Sequence, residues 1–254
     1  MTYTVFNFIF VCAAGFFAAI VDSIAGGGGL ISLPAFLLVG VSPHYALGTN
    51  KFAASCASFT SSVKFIKSGK TDSKLLKYLI PFTLLGAAVG VQIVLKIDQK
   101  YLYTMVLIMI LAVGIYSLFS KTIGLEDKFT GLSMGKIILG ILLAFSLGFY
   151  DGFFGPGTGS FLIFGLIKIF GFDFVRAGGN GKILNFVSNI TSLILFAFHG
   201  QISYLIGIPV AICMILGAKI GTEMVLSKGA KLMKPIFVTM SLAVAVKMLY
   251  NLLC

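Results

Sequence analysis

Charged side chains are scarce in this chain. They make up 11% of its 254 residues, with 8 acidic residues against 19 Lys and Arg. A soluble domain carries about a quarter charged residues. Here apolar residues reach 58% and the mean hydropathy is +1.05, so lipid rather than water is the expected solvent. The net charge of +11 does not point to nucleic acid, because the lysines sit in short breaks between apolar runs and form no basic face or tail. Trp is absent, so Tyr alone must supply an interfacial belt. Tyr45, Tyr78, Tyr101, Tyr103, Tyr204 and Tyr250 stand at segment ends, where amphipathic rings settle.

Other absences narrow the chemistry. Cys12, Cys56, Cys213 and Cys254 lie singly in apolar segments with no C-x-x-C, which reads as small, reduced core residues. His44 and His199 fall at outer loop ends and read as interfacial residues. No metal-ligand cluster, no Walker loop after a strand and no Ser/His/Asp or Cys/His set can be assembled, so no catalysis, metal or cofactor is expected. Met1-Thr-Tyr-Thr carries no positive charge ahead of its apolar run, so the first segment is expected to be retained.

What is present is a repeat at a constant offset. Gly26 and Gly28 recur 131 positions later as Gly157 and Gly159, and Gly40 recurs as Gly171. Ala46, Gly48 and Lys51 recur as Ala177, Gly179 and Lys182, and Gly69 as Gly200. Gly86 and Gly90 return as Gly217 and Gly221, without a gap. The chain therefore reads as a first membrane repeat over 1–122, a cytoplasmic linker over 123–131 and a second repeat over 132–254.

Ten apolar segments can be drawn, near 4–24, 30–41, 45–66, 75–95, 101–119, 136–154, 160–171, 177–198, 202–226 and 232–253. A full span takes about 20 residues, and 30–41 and 160–171 are too short. Each follows a glycine-rich break, Ala25-Gly-Gly-Gly-Gly29 or Gly155-Pro-Gly-Thr-Gly159. With ten alternating segments, Lys67, Lys70, Lys74, Lys77, Lys121, Lys128, Lys136, Lys168, Arg176, Lys228, Lys231 and Lys234 fall on one side. Only Lys96 and Lys100 fall in the loops of the other. Short basic loops stay cytoplasmic, which places both termini outside. Five elements per half make the repeats inverted, and the short segments either span in pairs or re-enter.

Short, Gly/Pro-interrupted segments at matching positions are the best sequence pointer to a transporter's site. Helices starting near Leu30 and Ser160 would offer N–H groups and a positive dipole end to an anion; close helix packing is the plainer use of such glycines. In Ala46-Leu-Gly-Thr-Asn-Lys51 and Ala177-Gly-Gly-Asn-Gly-Lys182, Thr49 or Asn50 and Asn180 read as helix N-caps. Lys51 and Lys182 then fall in first turns, where each either snorkels or meets an anion. The candidate substrate-binding residues are Gly26, Gly27, Gly28, Gly29, Thr49, Asn50 and Lys51 in the first half. In the second they are Gly155, Gly157, Thr158, Gly159, Asn180, Lys182, Asn185 and Asn189. Asp22 and Asp151, four residues before each break, are candidates for coupling to a proton or sodium, or for an N-cap or tight turn. Glu223 is expected to pair with Lys219 one turn before it.

Asp22-Ser-Ile-Ala-Gly-Gly-Gly-Gly-Leu-Ile-Ser-Leu-Pro34, followed by Pro43-His-Tyr-Ala-Leu-Gly-Thr-Asn-Lys51, resembles the sulfite exporter TauE/SafE family of bacterial membrane permeases. The resemblance extends over essentially the whole chain, although Gly155-Pro-Gly-Thr-Gly-Ser160 replaces the fuller glycine run and Gly165 stands in place of Pro34. It implies secondary transport, often export, of small sulfur-containing anions such as sulfite or an organosulfonate. The expectation is thus an all-α integral membrane protein of two inverted repeats in the bacterial cytoplasmic membrane. Its partners would be a small anion, the lipid bilayer and a coupling ion. The alternatives are uptake of another small anion, or a membrane scaffold without transport.

Overall fold

The computed structural model describes residues 4–119 and 126–228. Those residues form helices with no strand: α1 (Val5–Ala25), α2 (Gly29–Leu38), α3 (Pro43–Lys67), α4 (Ser73–Val94) and α5 (Gln99–Phe119), then α6 (Met134–Phe153), α7 (Thr158–Phe170), α8 (Phe174–Phe198) and α9 (Tyr204–Lys228). The tenth expected segment, 232–253, lies outside the described residues. Five of these helices, α1, α4, α6, α8 and α9, are long and apolar enough to cross a bilayer. α3 is as long as α8, but buries a run of polar side chains from Thr49 to Ser62. α2 and α7 have 10 and 13 residues. At 1.5 Å per residue they reach roughly 15 and 20 Å, well short of a hydrocarbon core of about 30 Å.

Local chemistry sets most helix starts. Thr4, Asp72, Ser133 and Asp173 each accept a hydrogen bond from the backbone N–H three residues on. Pro43 opens α3, where its missing N–H costs nothing. This corrects the sequence reading of the polar stretches. Thr49, Asn50 and Asn180 are not caps, because Pro43 and Asp173 start their helices one to two turns earlier. Lys51 and Lys182 therefore sit well inside α3 and α8 instead of in their first turns. The breaks end with α2 starting at Gly29 and α7 at Thr158, one or two residues ahead of Leu30 and Ser160.

Lipid offers no hydrophobic drive for helix association, so close packing must hold the bundle. Glycine spacing supplies it twice, in corresponding ways. α4 lies on α6, where a Cβ on Gly86 or Gly90 would come within 2.2 Å of the Phe145 or Phe149 carbonyl oxygen. α1 lies on α9, where a Cβ on Gly217 would come within 2.2 Å of the Phe16 carbonyl and one on Gly221 within 2.6 Å of the Ile20 carbonyl. Two apolar clusters result. One gathers around Val11, Leu33, Phe36, Leu47 and Val210, the other around Leu75, Leu79, Leu162, Phe170 and Leu184. The polar faces of α3 and α8, which pack on each other, bridge the two.

Candidate functional site

The two glycine breaks meet. A Cβ on Gly26 would lie 2.2 Å from the Gly159 carbonyl carbon, so only glycine lets these backbones cross. Gly26 sits at φ 79° and Gly157 at φ 85°, left-handed backbone that closes α1 and opens α7. The Ser160 N–H donates to the Gly26 carbonyl (3.3 Å) and its hydroxyl to the Ala25 carbonyl (2.6 Å), tying the breaks together. The first break is held by Asp22, whose Oδ1 accepts from the Gly28 N–H at 3.3 Å. The second is held by the Tyr150 hydroxyl on the Pro156 carbonyl and the Thr158 hydroxyl on the Gly155 carbonyl, both at 2.7 Å. Gly26 and Gly159 thus allow the close crossing, and Asp22 accepts a hydrogen bond within the first break.

Beside this crossing lies a cavity of about 30 Å³, room for one or two waters. Asp22, Gly26, Gly28, Gly29, Asn50 and Lys51 line it from one half, and Asp151, Gly155, Gly159, Asn185 and Asn189 from the other. Ser32, Ala54 and Met214 complete the wall; Ser32 falls within the motif over 22–34, while no motif or spacing in the sequence singles out Ala54 or Met214. Gly27, Thr49, Gly157, Thr158, Asn180 and Lys182 lie outside the lining. Thr49 and Asn180 instead hold loops: Thr49 Oγ1 accepts from the Ser203 N–H (3.0 Å) and Asn180 Oδ1 from the Asp72 N–H (2.8 Å).

The charges exchange partners between the halves. Lys51 Nζ lies 2.9 Å from Asp151 Oδ2, and Lys182 Nζ pairs with Asp22. Both lysine side chains are only 2–3% exposed, so neither snorkels. Lys51 also donates to Asn189 Oδ1 at 3.1 Å, and the Ser188 hydroxyl donates to Asp151 Oδ2 at 2.5 Å. Ser32 places its hydroxyl 2.6 Å from Asn50 Oδ1. Desolvating four charges is costly, and only direct pairing with further hydrogen bonds makes it tolerable. Two lysines against two aspartates leave the group neutral.

Other polar residues go elsewhere. Glu223 pairs with Lys64 of α3 at 2.5 Å, not with Lys219 as its helical spacing suggested, because α3 and α9 are neighbours. His44 is buried and its Nε2 lies 3.0 Å from the Val94 carbonyl, whereas His199 is exposed. Cys12, Cys56 and Cys213 are free thiols. Among the described residues no group of His, Cys, Asp or Glu side chains is placed to hold a metal ion.

Helices long enough to span a bilayer, enclosing a neutral but highly charged cavity where two broken segments meet, make up a multi-pass membrane permease. The chain belongs to the family described as sulfite exporter TauE/SafE, which it matches over residues 11–248. It is 39% identical over 237 residues to a "probable membrane transporter protein" of Haemophilus influenzae, covering 93% of this chain and 92% of that one. A protein of the same description in Escherichia coli, YfcA, is 35% identical over 234 residues, covering 92% of this chain and 86% of the relative. A more distant relative, YunE of Bacillus subtilis, is 23% identical over 242 residues, 85% of this chain and 87% of its own. No solved structure matches the chain.

Proposed function

We propose that the protein exports small sulfur-containing anions, sulfite or an organosulfonate, by alternating access across the bacterial cytoplasmic membrane. The two halves are read as inverted repeats, with both termini outside and the linker over 123–131 in the cytoplasm. The observation that carries the reading is Lys51, buried against the cavity and bound to Asp151 and Asn189. An ionisable donor deep in a membrane protein marks a substrate or ion path. Asn50, Asn185 and the N-terminal turn of α2 at Gly29 add neutral donors around it. The sulfur comes from the family description, not from the geometry, which recognises negative charge alone.

Flux of labelled sulfite, sulfoacetate and chloride through reconstituted vesicles tests this. Transport of the sulfur anions over chloride supports it, while no flux of any anion favours a scaffold whose glycines serve packing only. A charge-assisted bond contributes roughly 1.5–3 kcal/mol, so Lys51→Ala should weaken anion binding by about tenfold or more. Because that change strands Asp151 in the interior, Lys51→Ala with Asp151→Ala should be measured beside it. Wild-type affinity in the neutral double variant would remove Lys51 from the site.

A further inference from the structure

We propose that Asp151 is a proton site that loads when an anion binds Lys51, so that anion and proton cross together without net charge, outward down the anion's own gradient or inward when a proton gradient is imposed. This rests on the cavity being the anion site. The ionic wall groups Lys51, Asp22 and Asp151, together with Lys182 paired to Asp22 from outside the lining, sum to zero. The remaining walls, Ser32, Asn50, Ala54, Asn185, Asn189 and Met214, carry no charge. A monovalent anion would leave this buried group at −1. An uncompensated charge in an apolar interior is so unfavourable that a nearby carboxylate takes up a proton instead.

The hydrogen bonds around Asp151 suit both forms. Lys51 has a second acceptor beside Asp151, Asn189 Oδ1 at 3.1 Å, to which the ammonium can hold when the anion draws it from the carboxylate. The released carboxylate then binds one proton from solution at a carboxyl oxygen. Ser188, which donates to Asp151 Oδ2, has a second acceptor in the Asn185 carbonyl at 3.0 Å, so protonation strands no hydroxyl. The other groups facing Asp151 do not compete for the proton. Lys51 is the cation from α3, α4 presents Thr83, Ala87 and Gly90 to α6, and α7 presents Thr158, bound to Gly155. Tyr150 is committed to Pro156. Asp22, on α1 across the cavity, is held by Lys182 and the Gly28 N–H, and its side chain is 20% exposed against 2% for Asp151. Asp151 is therefore the carboxylate released when the anion takes Lys51, while Asp22 keeps its own partner Lys182.

Methanesulfonate carries no proton of its own near neutrality and makes the test clean. In proteoliposomes with the potential clamped at zero by potassium and valinomycin, an inward proton gradient of one pH unit should drive about tenfold accumulation. An imposed potential alone should drive none. Accumulation that follows the potential, or a sodium gradient, and ignores pH overturns the proton site. Exchange of labelled for unlabelled anion, with no gradient, tests the underlying reading separately. No exchange of methanesulfonate, sulfoacetate or sulfite removes the anion site itself, whereas exchange without proton-driven accumulation removes only the coupling. Asp151→Asn holds no proton and leaves an empty site of +1, so its uptake should lose the pH response and follow the potential. An unaltered pH response in that variant overturns the assignment. Purified wild type in weak buffer tests the same coupling without a variant: one proton taken from solution per methanesulfonate bound supports the proposal, and none overturns it.

Discussion

The N-terminal parts of α3 and α8 use one device and secure it differently. At α8, a Cβ on Gly179 would come within 2.2 Å of the Lys70 carbonyl, and Asn180 accepts from the Asp72 N–H. At α3, 131 positions earlier, a Cβ on Gly48 would come within 2.1 Å of the Gln201 carbonyl, and Thr49 accepts from the Ser203 N–H. Every partner is shifted by the same offset. Only α8 adds Arg176, which bonds Asp72 at 2.9 Å and Asp127 at 3.1 Å and lies 4.3 Å from the centres of both the Phe129 and Phe172 rings. Tyr45 stands at the corresponding place on α3 and is partly exposed, and no ion pair among the described residues ties that end. Gln201 Oε1 is instead buried there with no hydrogen-bond partner among the described residues. The α8 end is thus tied by two ion pairs, and the α3 end leaves a buried acceptor unpaired.

The largest effect should come from the shared device. Gly48→Val and Gly179→Val each drive a branched side chain into a backbone carbonyl that cannot swing aside. Overpacking of this kind costs about 1–3 kcal/mol or more, and both variants should lose thermal stability in detergent together with transport. If either one keeps the wild-type Tm, the close contact at that end is not needed.

Arg176→Ala comes next and acts at one end only. It removes two ion pairs and two ring contacts from a cation that is 25% exposed. Partial exposure discounts the 3–5 kcal/mol of a fully buried pair, leaving on the order of 2 kcal/mol. Cysteines introduced next to residues 70 and 201 should then label faster at 70 and unchanged at 201. Equal acceleration at both would mean that Arg176 supports the whole bundle and not one end.

The offset that exposes these equivalences also marks how far the sequence can be read. Glycine breaks, paired lysines and short segments follow from composition and spacing along one chain. Partnerships across the halves do not, because equivalence by repeat says nothing about contact. Lys51 and Lys182 can be matched to each other, but not to Asp151 and Asp22, which obey the repeat only after a two-residue shift. Thr49 and Asn180 have the chemistry of helix caps, yet their side chains are satisfied by distant loops that only the folded bundle brings near. Glu223 behaves likewise: a helical neighbour is visible in sequence, and Lys64 on an adjacent helix is not.

The smallest predicted effect has the opposite sign. Gln201 presents Oε1 to a buried position without a donor, and an unsatisfied buried acceptor costs roughly 1–3 kcal/mol. Gln201→Met keeps the length of the side chain and removes the acceptor. The rest of Gln201 is only half-buried, so part of that cost is recovered by water, and a gain of about 1 kcal/mol is expected. Strengthening the weaker end should also bring it closer to the α8 end, so that labelling at 203 slows while labelling at 72 is unaffected. A Tm that falls in Gln201→Met would show that Oε1 has a partner when the protein sits in lipid. The α3 end would then be as fully satisfied as the α8 end, and the difference between them would rest on Arg176 alone.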